Sequence, residues 1–206
     1  MNPPQPAAAG QQHAVWPWWA LPGPGVAALA GLYLLTAVVQ IGSMSYIQRD
    51  LHLSTVSYLP STVGVYLLAM LLTLAVGLLV GARYPTSIAA PGIAFMIIGV
   101  VLDVFSPDEL VLLVGRGLTG LGAGAAAGVA AALAVRITAR PLAYTAGGLG
   151  LLALIAGPFV GGGIATVLSW RWIFLSTAPL LLAALVATMI IGIVLFVMRQ
   201  APHGRA

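Results

Sequence analysis

The sequence predicts an all-α polytopic membrane protein, a bundle of six transmembrane helices. Of its 206 residues, 61% are hydrophobic and only 6% are charged, and the mean hydropathy of +1.07 lies far outside the range of soluble domains. The charged residues separate apolar runs of roughly 20 residues, the length that crosses a hydrocarbon core of about 30 Å as a helix. The sequence lacks the short alternating segments that are typical of a membrane-spanning barrel.

The expected elements follow the apolar runs in chain order. A disordered leader, residues 1–25, is rich in Pro, Ala and Gly, and Trp16, Trp18 and Trp19 should anchor its end at headgroup level. A cytoplasmic tail is expected over residues 199–206. The expected spans are residues 26–47, 58–80, 87–105, 110–135, 142–168 and 173–198.

The arginine distribution predicts the orientation, because Lys and Arg in short loops stay on the cytoplasmic side. With both termini inside, the cytoplasmic side receives Arg83, Arg136, Arg140, Arg199 and Arg205, without an acidic residue. The opposite side receives Arg49, Asp50, Asp108, Glu109 and Arg171. We therefore expect a multi-pass protein of the plasma (inner) membrane with cytoplasmic termini. The scattered arginines form no basic patch for nucleic acid.

The reactive residue types are too few and too dispersed for an enzyme. Cysteine is absent, and His13, His52 and His203 fall in the leader, an external loop and the tail. The adjacent carboxylates Asp108 and Glu109 are expected to cap the fourth helix, where negative charge is favourable. The sequence thus predicts no catalytic site, no metal and no cofactor.

Three sets of residues inside the spans are candidates for function. Gly120, Gly124 and Gly128 recur every fourth residue and predict close helix packing. Asp103 and Arg116 are charged residues within the spans, where charge is expensive, and we expect them to pair. The alternative is that Asp103 reaches water and Arg116 only braces helices. The third set, Gln40, Ser43 and Tyr46, forms a polar stripe that either lines a substrate cavity or makes interhelical hydrogen bonds.

The fifth span contains a proline among glycines, which favours a bend or an unusually close contact. This segment, Gly157–Gly162, reads GPFVGG and is one of four segments that resemble motifs of a single family in chain order. The others are the loop segment Ile47–Leu51, the RxxxGxG segment Arg116–Gly122, and Trp170–Phe174 with Pro179 beyond it. Together they resemble the N-terminal six-helix half of the major facilitator superfamily, closest to its fourteen-helix drug-proton antiporter branch.

The resemblance implies proton-coupled export of a small organic or drug-like solute by alternating access. It implies a part in proton coupling for Arg116, to which we add Asp103 as a second candidate. It also implies a conformational interface at Gly157, Pro158, Gly161 and Gly162. The family pattern for the loop between the second and third helices is only partly present, because Gly77–Pro85 lacks its aspartate and most of its basic residues.

Complete transporters of this type contain two six-helix bundles that rock around a central site. Three interpretations therefore stay open for a chain with one bundle. It forms a homodimer, it is a fragment of a transporter, or it is a non-transporting interaction or regulatory subunit. The expected partners are the lipid bilayer, a small-molecule solute, protons and a second bundle.

Overall fold

The protein is described by a computed structural model over residues 17–39, 41–136 and 140–200. Every regular element among these residues is helical. A 3-10 turn at Trp18–Ala20 comes first. The α-helices are α1 (Pro22–Thr36), α2 (Ile41–Asp50), α3 (Thr55–Leu59), α4 (Val65–Val80), α5 (Pro85–Val104), α6 (Glu109–Arg136), α7 (Arg140–Val167), α8 (Arg171–Leu175) and α9 (Ala178–Gln200).

Five segments in the described part of the chain are long and apolar enough to cross a membrane. A π-helical turn, Pro60–Gly64, joins α3 to α4 within the first of them. They are Thr55–Val80, Pro85–Val104, Glu109–Arg136, Tyr144–Val167 and Arg171–Met198. The all-helical fold is therefore as predicted.

The first expected span, residues 26–47, differs from the prediction because it is not one continuous helix. α1 ends at Thr36, residues 37–39 form a turn, and α2 begins at Ile41. Two side chains donate hydrogen bonds to the carbonyls after this end of α1. Tyr58 Oη donates to the Val38 carbonyl at 2.7 Å, and Ser43 Oγ donates to the Ala37 carbonyl at 3.0 Å. These donors satisfy groups that a helix end leaves open.

The chain also becomes helical earlier than expected. Residues 18–25, assigned to the leader, form the 3-10 turn and the start of α1, with Pro22 at a position that proline favours. Ala20 and Leu21 are buried in a small cluster with Leu133, whereas Trp18 is mostly exposed. The rest of the leader, with Trp16, and residues 201–206 of the tail lie outside the described residues.

α6 is the centre of the bundle, with α4 and α5 packed on different faces. A Cβ at Gly128 would lie 2.6 Å from the Leu74 carbonyl oxygen of α4. One turn away, an added Cβ at Gly124 would meet the Met70 carbonyl oxygen, and two turns away, one at Gly120 would meet the Tyr66 carbonyl oxygen. The spacing of four residues on both helices keeps the two backbones in contact, which is how membrane helices associate without a hydrophobic force between them.

The start of α6 is held by the two carboxylates that precede and open it. Asp108 Oδ1 accepts a hydrogen bond from the Val111 amide at 2.9 Å, so the expected cap is confirmed for Asp108. Glu109 has a different role, because its Oε1 accepts from Ser61 Oγ of the π-helical turn at 2.5 Å. This contact connects α6 to the segment that leads into α4.

Candidate functional site

The site is centred on Arg116, whose side chain is fully buried. Its Nε donates to the Thr62 carbonyl at 2.9 Å, and its Nη2 donates to the Leu34 carbonyl at 3.2 Å. The guanidinium carbon lies 4.3 Å from the centre of the Tyr66 ring and 5.7 Å from that of Phe174. Arg116 thus touches α1, the π-helical turn, α4 and α8.

The charge of Arg116 is balanced by dipoles and aromatic faces. Leu34 is in the last turn of α1, where the carbonyls carry partial negative charge and favour a cation. Thr62 is in the π-helical turn, an irregularity that is frequent at functional sites. Tyr66 Oη donates to the Gly31 carbonyl at 2.7 Å, which fixes the ring under the guanidinium. Among the residues that the structure describes, Nη1 of Arg116 has no hydrogen-bond partner.

Asp103 does not form the expected ion pair with Arg116. Across residues 17–39, 41–136 and 140–200, the structure contains one ion pair, and it joins Asp50 to Arg171. Asp103 is fully buried at the α5–α6 contact, where its Oδ1 lies against Gly115 and has no hydrogen-bond partner in the described part of the chain. The physical reason is helix geometry: Arg116 follows Gly115 and therefore points about 100° away around α6, toward α1 and α4.

The carboxyl group of Asp103 has one weak polar contact within the described residues. Thr119 Oγ1 approaches Asp103 Oδ2 at 3.4 Å but donates at 2.7 Å to the Gly115 carbonyl in its own helix. The carboxyl group therefore lies in the membrane-spanning part of the bundle with only weak hydrogen bonding from the described residues. Its burial costs free energy in the charged form, and a bound proton removes that charge.

The polar stripe of the first expected span is divided by the structure. Ser43 is buried and bonded to the Ala37 carbonyl, and Tyr46 is 40% exposed. Gln40 lies outside the described residues. Neither Ser43 nor Tyr46 lines the large groove of the bundle.

That groove, of about 840 Å³, lies between α1, α6 and α7 near the Arg136 end of the bundle. Its walls are apolar, and small residues of α6 and α7 make room for it: Ala127, Ala130, Ala131, Ala134, Gly147 and Gly150. The groove was not predicted from the sequence, although the alanine run of α6 and the glycine pair of α7 are signals for it. The 840 Å³ volume is in the range of sites for drug-sized molecules.

The GPxxGG segment of α7 packs on the end of α1, beside the break. A Cβ at Gly161 would lie 2.7 Å from the Ala37 carbonyl oxygen, and one at Gly157 would lie 3.0 Å from the Tyr33 carbonyl oxygen. Gly162 is buried and Pro158 partly buried within the helix. α7 therefore contacts the same stretch of α1 that contains the Leu34 carbonyl, an acceptor for Arg116.

A polar cluster at the opposite end from the groove joins three parts of the chain. Trp170 Nε1 and Arg171 Nη1 both donate to Asp50 Oδ2, at 3.0 and 2.6 Å, and Arg171 Nη2 donates to the Ser106 carbonyl at 3.2 Å. Arg171 also lies over the Trp170 ring, 4.4 Å from its centre. Two motifs that are distant in the sequence, Ile47–Leu51 and Trp170–Phe174, thus meet in one contact.

The contact makes this end of the bundle sensitive to acid. The Trp170 indole and then the Arg171 guanidinium hold the pKa of Asp50 below its ordinary value, while partial burial acts in the opposite direction. A lowered pKa means that the contribution to stability is complete above the unfolded-state pKa, about 3.9, and is lost as pH falls through the folded-state pKa.

We expect the coupling between Asp50 and Arg171 to be below about 1 kcal/mol, because both side chains are more than one third exposed. A double-mutant cycle with Asp50→Asn and Arg171→Gln, followed by thermal unfolding, should show this coupling at pH 7 and not at pH 2. Coupling that persists at pH 2 would contradict the assignment to an ion pair.

A family model described as Major Facilitator Superfamily matches residues 26–206. The chain belongs to the major facilitator superfamily. Its fold is that of a multi-pass membrane protein in a family of transporters rather than enzymes, as the sequence predicted.

Among the similar curated major facilitator proteins, some have names that refer to efflux and others are named only as transporters. A thioclapurine efflux transporter of Claviceps purpurea is 36% identical over 128 residues, 57% of this chain and 23% of the relative. An aspyridones efflux protein of Neocamarosporium betae is 39% identical over 88 residues, 40% of this chain and 15% of the relative. An efflux pump of Arthroderma benhamiae is 36% identical over 80 residues, with 36% and 15% covered. The chain therefore matches about a quarter or less of the length of these relatives.

Proposed function

We propose that this chain is the N-terminal half bundle of a transporter that exports a small organic, drug-like solute in exchange for protons, in the plasma membrane with both termini in the cytoplasm. Alternating access needs two bundles that move against each other. The proposal therefore includes a second bundle, which is either a second copy of this chain or another six-helix bundle. Relatives named for the efflux of thioclapurine and aspyridones support export of an organic solute.

The observation that carries the proposal is the arrangement around Arg116. Its guanidinium group donates hydrogen bonds to carbonyls at the end of α1 and in the π-helical turn. Both are irregular backbone segments that can change shape. α7 packs against the same end of α1 through Gly157 and Gly161. A movement of α7 against the second bundle would therefore shift the end of α1 and change its hydrogen bond with Arg116.

Asp103 supplies a carboxyl group that can take up a proton. It belongs to α5 and packs on a face of α6 that Arg116 does not share. Its Oδ1 lies against Gly115, the residue before Arg116. Arg116 belongs to this turn of α6, and the Asp103 carboxyl group packs against it. A shift of the turn therefore changes the surroundings of both side chains. This linkage is the proposed route from proton uptake to movement, and the 840 Å³ groove is the proposed place for the solute.

The test is proton movement in liposomes that contain the full chain and an internal pH dye. With a pH gradient imposed, the addition of ethidium as a probe solute should accelerate proton release. Asp103→Asn should lower this ethidium-dependent rate at least tenfold, because it cannot exchange a proton. Arg116→Lys should lower it to a similar degree, because an ammonium group does not reproduce the guanidinium fork. Arg49→Gln, at an exposed position, is the matched control and should keep the rate.

The need for a second bundle has its own readout. If two copies cooperate, the rate at low protein density should rise with the square of the number of copies per vesicle. Wild-type protein that is folded, reaches two copies per vesicle and still moves no protons with a panel of amphipathic dyes would contradict the transport proposal. A linear dependence would contradict the homodimer.

A further inference from the structure

A second groove, of about 350 Å³, lies at the Arg83 end of the bundle, on the side of α5 and α9. One wall is the start of α5 with the preceding loop, and it carries Arg83, Tyr84 and the hydroxyls of Thr86 and Ser87. The other wall is the apolar face of α9, lined by Met189, Ile193 and Phe196. The groove is thus polar and cationic at one edge and apolar along the other.

The two helices that form the groove are in close contact at its floor. A Cβ at Gly192 would lie 2.5 Å from Thr86 Cγ2 and 3.0 Å from Thr86 Oγ1. This close approach leaves a cleft above Gly192, between the loop and the outer part of α9. Met189, Ile193 and Phe196 are each about half exposed or more, so they face the surroundings of the bundle.

Within residues 17–39, 41–136 and 140–200, Arg83 has no ion-pair partner. All four acidic residues of the chain, Asp50, Asp103, Asp108 and Glu109, are placed toward the opposite end of the spans. Arg83 is exposed, and its guanidinium carbon lies 5.4 Å from the centre of the Tyr84 ring. A cation at the end of a membrane helix without an acidic neighbour is complementary to an anionic ligand.

We propose that this groove binds one anionic phospholipid. The phosphate accepts hydrogen bonds from Arg83 and from the hydroxyls of Thr86 and Ser87, and the first part of an acyl chain lies along Met189, Ile193 and Phe196. A phospholipid is the occupant because it combines an anionic head with an apolar chain in the order that the groove presents. Basic pockets between membrane helices on the cytoplasmic side, the expected side of Arg83, favour such head groups.

The test measures lipid binding to the full-length protein in detergent by native mass spectrometry. Titration with phosphatidylglycerol should give one retained lipid per chain, bound more tightly than phosphatidylcholine. Arg83→Gln should weaken this binding about fivefold, the factor that one basic residue contributes at an anionic surface. Arg83→Lys, which keeps the charge, should restore most of the affinity. Arg136→Gln is the matched control, since Arg136 is exposed at the same end and does not line the groove.

Three outcomes would overturn the proposal. The first is equal affinity of wild type and Arg83→Gln, and the second is an equal loss in Arg136→Gln, which would indicate diffuse attraction. The third is displacement of the lipid by millimolar inorganic phosphate, which would show that the apolar wall plays no part. Arg83 lacks an ion pair within the described residues, so the variants are expected to fold, and thermal unfolding checks this.

Discussion

Replacing Gly124 by alanine should destabilise the bundle by about 2 kcal/mol. The added methyl would meet the Met70 carbonyl oxygen and Thr73 Oγ1 and would lie 2.8 Å from the Met70 carbonyl carbon. Backbone atoms cannot turn aside as a side chain can, so α4 and α6 must separate along their length. Overpacking of this kind costs up to about 3 kcal/mol, and the helix preference of alanine over glycine returns about 1 kcal/mol.

The matched control is Gly117→Ala, in the same helix. A Cβ at Gly117 would find only Val65 Cγ1, at 3.5 Å, which is an ordinary van der Waals contact. This variant should therefore gain up to about 1 kcal/mol from helix propensity. Thermal unfolding of both variants in nanodiscs checks the prediction. Equal changes in stability for Gly124→Ala and Gly117→Ala would contradict a close backbone contact between α4 and α6 at Gly124.

Arg116→Ala should cost about 4 kcal/mol of stability, the largest effect expected from one side chain here. The substitution removes two hydrogen bonds from a charged donor, each contributing about 1.5–3 kcal/mol, and the cation–π contact with Tyr66, which contributes about 1 kcal/mol. Part of this loss is offset, because the cation no longer has to be desolvated. The carbonyls of Leu34 and Thr62 are left facing a cavity.

Two further substitutions at this position separate charge from shape. Arg116→Lys should lose less, about 2 kcal/mol, because the ammonium keeps the charge and reaches fewer acceptors. Arg116→Met fills the space without a donor and should fall between Lys and Ala. Unfolding in nanodiscs, with Arg49→Ala as the exposed control, measures the series. A Met variant as stable as wild type would mean that Arg116 does not hold α1 and the π-helical turn in place.

The apolar runs predicted the helical bundle, because hydropathy is a local property that can be summed along the chain. The break after Thr36 could not be predicted this way. It depends on donors that are far away in the sequence: Tyr58 lies 20 residues from the carbonyl that it binds, and Arg116 lies 82 residues from Leu34. The hydrophobic periodicity of α1 gives no information about either of these distant donors.

The error about Asp103 and Arg116 has a similar origin. Their sequence positions indicate similar depth in the membrane but not their direction around the helices. That direction depends on which small residues meet, and Gly99, Gly115 and Thr119 bring α5 to a face of α6 that Arg116 does not share. The four-residue spacing of Gly120, Gly124 and Gly128 defines a face of α6 in the sequence, but it does not name α4 as the neighbour.

The acceptors around the break in the first span are main-chain oxygens. Arg116, Tyr58 and Ser43 bind the carbonyls of Leu34, Val38 and Ala37, and none of these acceptors depends on the side chain of its own residue. Natural variation should therefore treat the two sides of each contact differently. The donor positions require particular residue types, whereas the acceptor positions require only that the backbone follows the same path. In an alignment of related chains, the donors should therefore be conserved and the acceptor positions should vary.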